Sequence, residues 1–170
     1  MGSRMARWGK CDFKELKNLE KRCGQLDKAD LDSFCRQMAN DLAGRLLNKV
    51  VKRTVPGQIP PYATEEAKAK YWSGYTGGNL RDNWSVLPIE KKGNDYIITV
   101  INNAQYASYV EYGHRQTPGR FVPALGLRLK QSWVPGRYML TISTQELEQQ
   151  APKLIEQKLY QFLRPIFENG

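Results

Sequence analysis

Apolar residues recur at intervals of three and four between positions 31 and 51, and no other feature constrains the fold of this chain as strongly. The stripe consists of Leu31, Phe34, Cys35, Met38, Leu42, Leu46, Leu47, Val50 and Val51. Such spacing predicts one amphipathic helix of about 20 residues with a single buried face. Asp30 is placed to act as its N-cap. Lys49, Lys52 and Arg53 suit the negatively polarised end of the helix.

The helical pattern stops between positions 55 and 78, where three prolines and four glycines occur. The middle of this stretch, from Thr64 to Trp72, is predicted to form two helical turns with Thr64 as the cap. Loops of this length are usually functional, or disordered until they are bound. We therefore predict an excursion outside the core, mobile in the free protein and anchored on a partner by its aromatic residues.

Two short strands are predicted next. Trp84–Ile89 is rich in apolar residues, and Tyr96–Ile101 is β-branched and apolar on both faces. The intervening Lys92–Asp95 contains the glycine, asparagine and aspartate that a tight reversal requires, so the sequence predicts a β-hairpin. A strand that is apolar on both faces is expected to be covered on both, by the first helix and by another layer or subunit.

A short helix and an arm are predicted after the hairpin. Ala104–Tyr112 favours the helix. The next stretch has apolar residues at the odd positions Phe121, Leu125, Leu127, Leu129 and Trp133, and basic or polar residues at the even positions Arg120, Arg128, Lys130 and Ser132. This period of two predicts a strand or a folded-back hairpin arm that bends at Gly126.

The last segment is predicted to be helical. Residues 137–143 fit either a strand or the start of this helix. Ser143–Glu146 has the pattern of a capping box, which places the helix start there. Pro152 predicts a kink or a fresh start, and Pro165 predicts an end or a bend.

Together these elements predict an α+β fold. A small, mainly antiparallel β-sheet packs against the long N-terminal helix and a C-terminal helix, with an extended loop or hairpin arm. A chain of 170 residues has room for one domain with a sizeable core. We assign residues 29–170 to that domain, with a long inserted loop at 55–78, and residues 1–28 to an N-terminal segment.

The charge balance favours an anionic partner. Lysine and arginine total 26 against 17 acidic residues, which gives a net charge of +9. Nucleic acid, a membrane surface and an acidic protein face all fit this balance. The charges are dispersed, without five like charges in a row, so a dedicated nucleic-acid module is not indicated. No apolar run suits a membrane span, and the N-terminus lacks the pattern of a signal peptide.

The sequence predicts neither catalysis nor a metal or cofactor site. Cys11, Cys23 and Cys35 are odd in number and lack a C-x-x-C pattern, which indicates reduced thiols. His114 and Glu111 offer a base and an orienting carboxylate, but no nucleophile in a recognisable turn accompanies them. We therefore expect a protein that is not an enzyme.

Two ordered motifs carry the functional signal. The first is T-G-G-N-L-R-D-N-W at residues 76–84, and the second is N-N-A-Q-Y-A-S-Y-V-E-Y-G-H at residues 102–114. They follow a helix with a basic end and precede a Val-Pro-Gly-Arg turn at 134–137. In this order they resemble the phage minor tail-component family, from about residue 31 to the C-terminus. The chain departs from the family in its long insertion, since members often reach the T-G turn within a few residues.

The resemblance implies a virion structural protein made in the bacterial host cytoplasm. It implies a tail-completion or neck subunit that forms a ring, six-fold and homo-oligomeric, at the head-proximal end of the tail. The partners implied are a tail-tube or tail-terminator protein and the head connector, with genomic DNA passing through the ring without sequence-specific binding. No membrane contact is implied. The alternatives are a tail terminator ring that stops tube polymerisation and a basic nucleic-acid-binding protein.

The candidate site residues are therefore interface residues. Aromatic residues and arginine are enriched at the cores of protein interfaces, and guanidinium groups pair with carboxylates in two-pronged geometry. The candidates are Tyr62, Tyr71, Trp72, Arg81, Tyr106, Tyr109, Tyr112, Phe121, Arg128, Trp133 and Arg137. Trp84 is expected to pack in the core, and Arg81 to pair with a carboxylate such as Glu111. Because a strongly basic lumen would retain DNA phosphates, the basic side chains are expected to face neighbouring proteins or solvent.

Overall fold

The computed structural model describes residue 24 and residues 28–168, so Cys11 and Cys23 lie outside the described residues. The elements in chain order are α1 (Lys28–Arg53), α2 (Glu65–Tyr71), α3 (Asn79–Asp82), β1 (Trp84–Val86), β2 (Glu90–Lys92), β3 (Asp95–Ile97), β4 (Val100–Asn102), α4 (Ala107–Tyr112), β5 (Gly113–Arg115), β6 (Phe121–Val122), β7 (Leu127–Arg128), β8 (Trp133–Pro135) and α5 (Met139–Glu168). The predicted α+β class is confirmed: small antiparallel ladders lie in the chain between two long helices.

The N-terminal helix is confirmed and extends beyond its apolar stripe. α1 begins at Lys28, so Asp30 lies in the first turn rather than at the N-cap. A carboxylate in the first turn still interacts favourably with the helix dipole. The buried residues of α1 share one face at the predicted spacing and are Met38, Ala39, Ala43, Leu46 and Val50.

The C-terminal helix α5 begins at Met139, within the segment 137–143 that fitted either a strand or a helix start, and runs for 30 residues through both Pro152 and Pro165. The capping box at Ser143–Glu146 is wrong, because the helix already begins at Met139. Ser143 is fully buried in the helix, and its hydroxyl donates to the Met139 carbonyl at 2.6 Å. No second helix starts at Pro152.

A carboxylate from a distant part of the chain caps α5 instead. The Oε2 atom of Glu111 accepts the backbone N–H of Leu140 at 3.0 Å. Its Oε1 atom accepts both the backbone N–H and the hydroxyl of Thr141, each at 2.9 Å. Glu111 is only 4% exposed, and the first N–H groups of a helix need such acceptors when they are buried. The expected pairing of Arg81 with Glu111 is therefore wrong.

The core lies where α1 and α5 pack side by side in opposite directions. Leu46 and Val50 of α1 meet Leu147 of α5. Partly buried side chains pack around them, from Leu42, Trp84, Val100 and Leu140. At the other end of the pair, the rings of Phe34 and Phe162 stack with centroids 4.6 Å apart. Full burial of one large apolar side chain stabilises a fold by about 1.5–3 kcal/mol. The packing of α1 against α5 is therefore the main source of stability.

An ion-pair network joins the same two helices at the edge of the core. Oε2 of Glu146 accepts from Lys49 Nζ at 3.0 Å, and Oε1 accepts from Arg53 Nη2 at 2.5 Å. The hydrogen bonds from Lys49 and then Arg53 lower the pKa of Glu146 below its ordinary value.

The predicted β-hairpin is confirmed, in two ladders. β1 pairs with β4, with Trp84 opposite Asn102, and β2 pairs with β3 across a turn at Gly93 and Asn94. Between the ladders, residues 87–89 lie opposite residues 98–99, so one strand bulges. The interruption coincides with Pro88, which has no N–H to donate. The hairpin also contacts α1: Asp32 accepts from the Tyr96 hydroxyl at 2.5 Å.

The hairpin arm is confirmed as well. β5 pairs with β8 at its base, and β6 pairs with β7 at its tip, with Gly126 in the left-handed region at φ 65°. Backbone hydrogen bonds between residues 116 and 132 and between 119 and 129 connect the two ladders. The short helix α4 precedes the arm and begins three residues later than predicted.

The insertion at 55–78 contains the helix α2 and contacts the arm. Its helix α2 is capped as expected, since Thr64 Oγ1 accepts the Ala67 N–H at 3.2 Å. Ala63 and Ala67 are buried, and the Trp72 indole donates to the Ala124 carbonyl at the arm tip, at 2.9 Å. The prediction of an excursion outside the packed structure is wrong, because the indole and the small alanines fit it onto the domain. No helix in the described part of the chain is long and apolar enough to span a membrane.

We expect Glu111→Gln to destabilise the fold by about 1–3 kcal/mol, because an amide nitrogen cannot accept the N–H groups that both carboxylate oxygens now accept. Urea unfolding followed by circular dichroism measures this loss. The control is Glu148→Gln on the exposed side of α5, which should stay within about 0.5 kcal/mol of wild type. Equal effects of the two substitutions would contradict the capping role.

The lowered pKa of Glu146 predicts how stability depends on pH. The unfolded chain binds the Glu146 proton more tightly, so the contribution is present above the unfolded pKa of about 4.3. It disappears as the pH falls through the folded value. Glu146→Gln should therefore lower the urea midpoint at pH 7, and the two midpoints should converge as the pH falls below about 4. A gap that stays constant down to pH 2 would contradict this assignment.

Candidate functional site

The two motifs face each other across a cleft of about 260 Å³. The insertion contributes Val55, Pro56, Gly57 and Tyr75 to its lining, and the first motif contributes Gly78, Asn79, Leu80 and Arg81. The second motif contributes Tyr106, Tyr109, Val110 and His114, and the end of the arm contributes Val134, Pro135 and Arg137. Segments that are far apart in the sequence thus form one concave site, which is the usual shape of a binding site.

Hydrogen bonds hold the first motif against the second. Asn79 Nδ2 donates to the Tyr106 hydroxyl at 3.0 Å, across the cleft wall. Asn102 Nδ2 donates to the Leu80 carbonyl at 2.7 Å. The Asn83 side chain donates to the Asn79 carbonyl at 2.7 Å. The side chains of these three asparagine residues therefore position the short helix α3.

Trp84 anchors the first motif to the core, as predicted. Its ring packs against the core residues of α1 and α5. Its indole N–H donates to Thr54 Oγ1 at 2.9 Å, and that hydroxyl donates to the Val50 carbonyl at 2.8 Å. Thr54 is 2% exposed, so this chain of hydrogen bonds satisfies buried polar groups at the end of α1.

Glycines allow the two close approaches that shape the cleft. Gly77 has φ 70°, and a Cβ there would overlap the Gly57 carbonyl oxygen. At the root of the arm, Gly113 has φ 84°, and a Cβ would overlap the Val134 carbonyl oxygen. Only glycine tolerates both conditions at once.

His114 forms part of the cleft wall. Its ring meets the Tyr109 ring edge to face, with centroids 5.9 Å apart. Its Nδ1 atom is buried and has no hydrogen-bond partner among the residues that the structure describes. Buried polar atoms are nearly always hydrogen-bonded, so this nitrogen is an exception in the wall of the cleft.

The charge of the cleft lining is positive. Arg81 and Arg137 both line it, no acidic residue does, and both side chains are exposed. Neither forms an ion pair within residues 28–168. Apolar side chains form much of the remaining wall. The site therefore suits an anionic group attached to an apolar body.

The arm carries a second cationic surface. Between positions 113 and 138 the chain has no acidic residue, and its basic residues there are Arg115, Arg120, Arg128, Lys130 and Arg137, all of them exposed. Arg115 lies directly opposite Trp133 at the base of the arm, and Arg128 directly opposite Phe121 at its tip. Opposed residues share one face of a ladder. Each ladder thus presents one arginine beside one exposed aromatic ring.

The predicted interface residues lie in four kinds of environment. Arg81, Tyr106, Tyr109 and Arg137 come together in the cleft, while Phe121, Arg128 and Trp133 lie on the arm. Tyr62, Tyr71 and Tyr112 are exposed singly. Trp72 forms an intramolecular contact with the arm.

Val55–Gly57, Tyr75 and His114 also line the cleft, although they were not among the predicted interface residues. Tyr75 adjoins the first motif, and that position was the available signal for it. Val55–Gly57 carried no local signal, because its place in the site depends on the close approach to Gly77. Within the described residues, no group of histidine, cysteine, aspartate and glutamate side chains has an arrangement that could hold a metal ion.

The fold and its surfaces define a small α+β domain with a concave site and a protruding cationic arm. The chain belongs to the family described as "Bacteriophage HK97-gp10, putative tail-component", whose model matches residues 17–113. The match includes nearly all of both motifs and ends where the arm begins, and it confirms the resemblance to a phage tail-component family. It is a family of virion structural proteins. Comparisons with curated proteins and with solved structures give no match.

We expect Trp72→Phe to loosen the insertion, because phenylalanine keeps an aromatic ring but cannot donate to the Ala124 carbonyl. The loss is about 0.5–1.5 kcal/mol, the net value of one hydrogen bond. Trypsin should then cleave faster after Lys68 and Lys70, measured by mass spectrometry of timed digests. Tyr71→Phe, on the exposed neighbouring residue, is the control and should digest like wild type. Unchanged cleavage in the Trp72 variant would mean that this hydrogen bond does not hold the insertion.

Proposed function

We propose that this chain is a tail-completion or neck subunit of a phage or phage-like particle, which acts by binding and not by catalysis. In this proposal, copies of the chain form a homo-oligomeric ring, six-fold as the family resemblance implies, at the head-proximal end of the tail. One face of the ring contacts the tail-tube or tail-terminator protein, and the other contacts the head connector. Genomic DNA passes through the ring without sequence-specific binding.

The cationic hairpin arm is the observation that carries this proposal. A two-stranded ribbon is only marginally stable by itself, because it has no core of its own. Its aromatic and arginine side chains are the types enriched at the centres of interfaces, and two such pairs lie exposed on it. Since its five cations have no acidic neighbours within the arm, a partner surface must supply the complementary charge.

A protein surface fits that complementary role better than DNA in a conduit. Each phosphate held by a basic side chain displaces counterions and slows the passage of DNA, so a basic lumen opposes transport. We therefore propose that Arg115 and Arg128 face an acidic protein neighbour rather than the lumen.

Two alternatives remain distinguishable by experiment. The same arm also favours a tail terminator ring, but loss of a tail terminator yields tails of excessive length. A nucleic-acid-binding protein is favoured by the arginine–aromatic pairs on a β-ribbon, since such ribbons fit the major groove and aromatic rings stack on bases. Binding to DNA would weaken steeply as salt rises.

We expect the double substitution Arg115→Glu and Arg128→Glu to block the joining of tails to heads. Both side chains are exposed and make no ion pair in the described part of the chain, so the unfolding midpoint should stay near that of wild type. Like charges would then oppose the acidic partner, at several kcal/mol per interface. Electron microscopy of complementation lysates should show full heads and separate tails of normal length.

The matched control reverses two exposed lysines on α5, Lys153→Glu and Lys158→Glu, which changes the net charge equally. Joined particles at wild-type yield are expected. Overlong tails in the arm variant would favour the terminator alternative. Normal particle yield from a folded arm variant would exclude the arm from the joining contact.

A further inference from the structure

We propose that the cleft between the two motifs is a binding site for a carboxylate-bearing peptide segment of a partner protein, with one Asp or Glu side chain held between Arg81 and Arg137. The site lies within a single chain, so it does not depend on the ring or on the position of the subunit in the particle. It is also separate from the outward face of the arm that presents Arg115 and Arg128.

The two arginines determine the charge of the occupant. Arg81 comes from α3, Arg137 comes from the segment between β8 and α5, and both line the same cleft. Guanidinium groups pair with carboxylates through two parallel N–H···O bonds. Glu111 of the second motif is already engaged by the first turn of α5. Asp82, which follows Arg81 in the first motif, forms no ion pair in the described part of the chain. An external carboxylate is therefore the natural counter-ion.

The polar groups of the wall add specificity. His114 Nδ1 is buried without a hydrogen-bond partner in the described part of the chain. Asn79 and Tyr106 also line the cleft, where the Asn79 amide donates to the Tyr106 hydroxyl. A peptide backbone supplies both donors and acceptors for such groups. Satisfying a buried polar atom gives a favourable contribution that only the bound state has.

The apolar part of the wall favours a peptide over a phosphate. Val55, Leu80, Val110 and Val134 line the cleft, and these side chains gain from contact with an apolar residue next to the carboxylate. The volume of about 260 Å³ is at the small end for a ligand pocket and admits a few side chains, not a double helix with a groove about 12 Å wide. A strongly hydrated phosphate backbone would leave the apolar wall uncovered.

The protein's single histidine makes a direct test possible, because the imidazole signals of His114 need no further assignment. The probe is the capped tripeptide acetyl-Leu-Glu-Leu-amide, titrated into the labelled full chain and followed by NMR at the His114 imidazole and the Asn79 side-chain amide. We expect saturable shifts at both. The isosteric peptide acetyl-Leu-Gln-Leu-amide should bind about tenfold more weakly, since it loses the charge-assisted hydrogen bonds.

Substitutions in the protein locate the contact. Arg81→Gln and Arg137→Gln should each weaken binding of the glutamate peptide about tenfold, and the double variant should show no saturable shift. Lys158→Gln, an exposed cation of α5 that does not line the cleft, is the control and should bind like wild type. The comparison of the glutamate and glutamine peptides uses the wild-type protein, so the test remains decisive even if one variant folds poorly.

Three results would overturn the proposal. The first is equal binding of the two peptides, which would mean that charge plays no part. The second is wild-type binding by the folded double variant. The third is a short single-stranded oligothymidylate that shifts the same two signals at lower concentration than the peptide, which would make the cleft a phosphate site. Each of these is independent of particle assembly, so the tail-joining experiment can succeed or fail separately.

Discussion

The carboxylate of Glu111 fixes the geometry of the second half of the molecule. It lies near the end of α4, and its two oxygens accept the first N–H groups of α5, 29 and 30 residues further along the chain. The backbone reinforces the same junction, because the Tyr138 N–H donates to the Glu111 carbonyl at 3.0 Å. The chain between these points must therefore leave and return at one place, which makes it an arm. The start of α5 is fixed there too, and α5 then packs along α1.

The cleft depends on this junction as well. Its walls combine the end of α4, the base of the arm and the first motif, and the hydrogen bonds of Asn79 and Asn102 hold that motif in place. The Trp84 indole connects the same region to the end of α1 through Thr54. The two packed helices thus support two features that differ in shape. The cleft is concave and can receive a side chain, and the hairpin arm can lie against the surface of another protein. This division is consistent with a tail component, whose task is to contact several neighbours.

The sequence predicted the elements whose signals are local. The stripe of α1, the reversal at Gly93, the Thr64 cap and the bend at Gly126 all depend on residues within a few positions of each other, and each is confirmed. The sequence left the start of α5 open between residues 137–143 and a capping box at Ser143–Glu146, and the cap supplied by Glu111 selects the earlier start. Propensity did not indicate the distant acceptor.

The site was also predicted only in part, because some of its walls depend on contacts between distant segments and have no local signal in the sequence. The motifs pointed to Arg81, Tyr106, Tyr109 and Arg137, and the structure brings these together. The opposite wall at Val55–Gly57 depends on tertiary contact with Gly77. Likewise, the insertion was expected to lie free because its prolines and glycines weaken regular structure. The indole of Trp72 outweighs that tendency through a hydrogen bond to a carbonyl 52 residues away.

The charge pattern of the arm also bears on how the protein stays soluble before it meets its partners. A hairpin has two open strand edges, and open edges invite pairing with another copy and then aggregation. Arg115, Arg120, Arg128 and Lys130 are spread along the arm with no acid among them, so two arms that approach edge to edge bring only like charges together. At physiological salt this repulsion acts within roughly 8 Å, the range over which a wrong β-pairing would begin. These side chains therefore oppose edge-to-edge pairing of two arms before the subunit meets its partners.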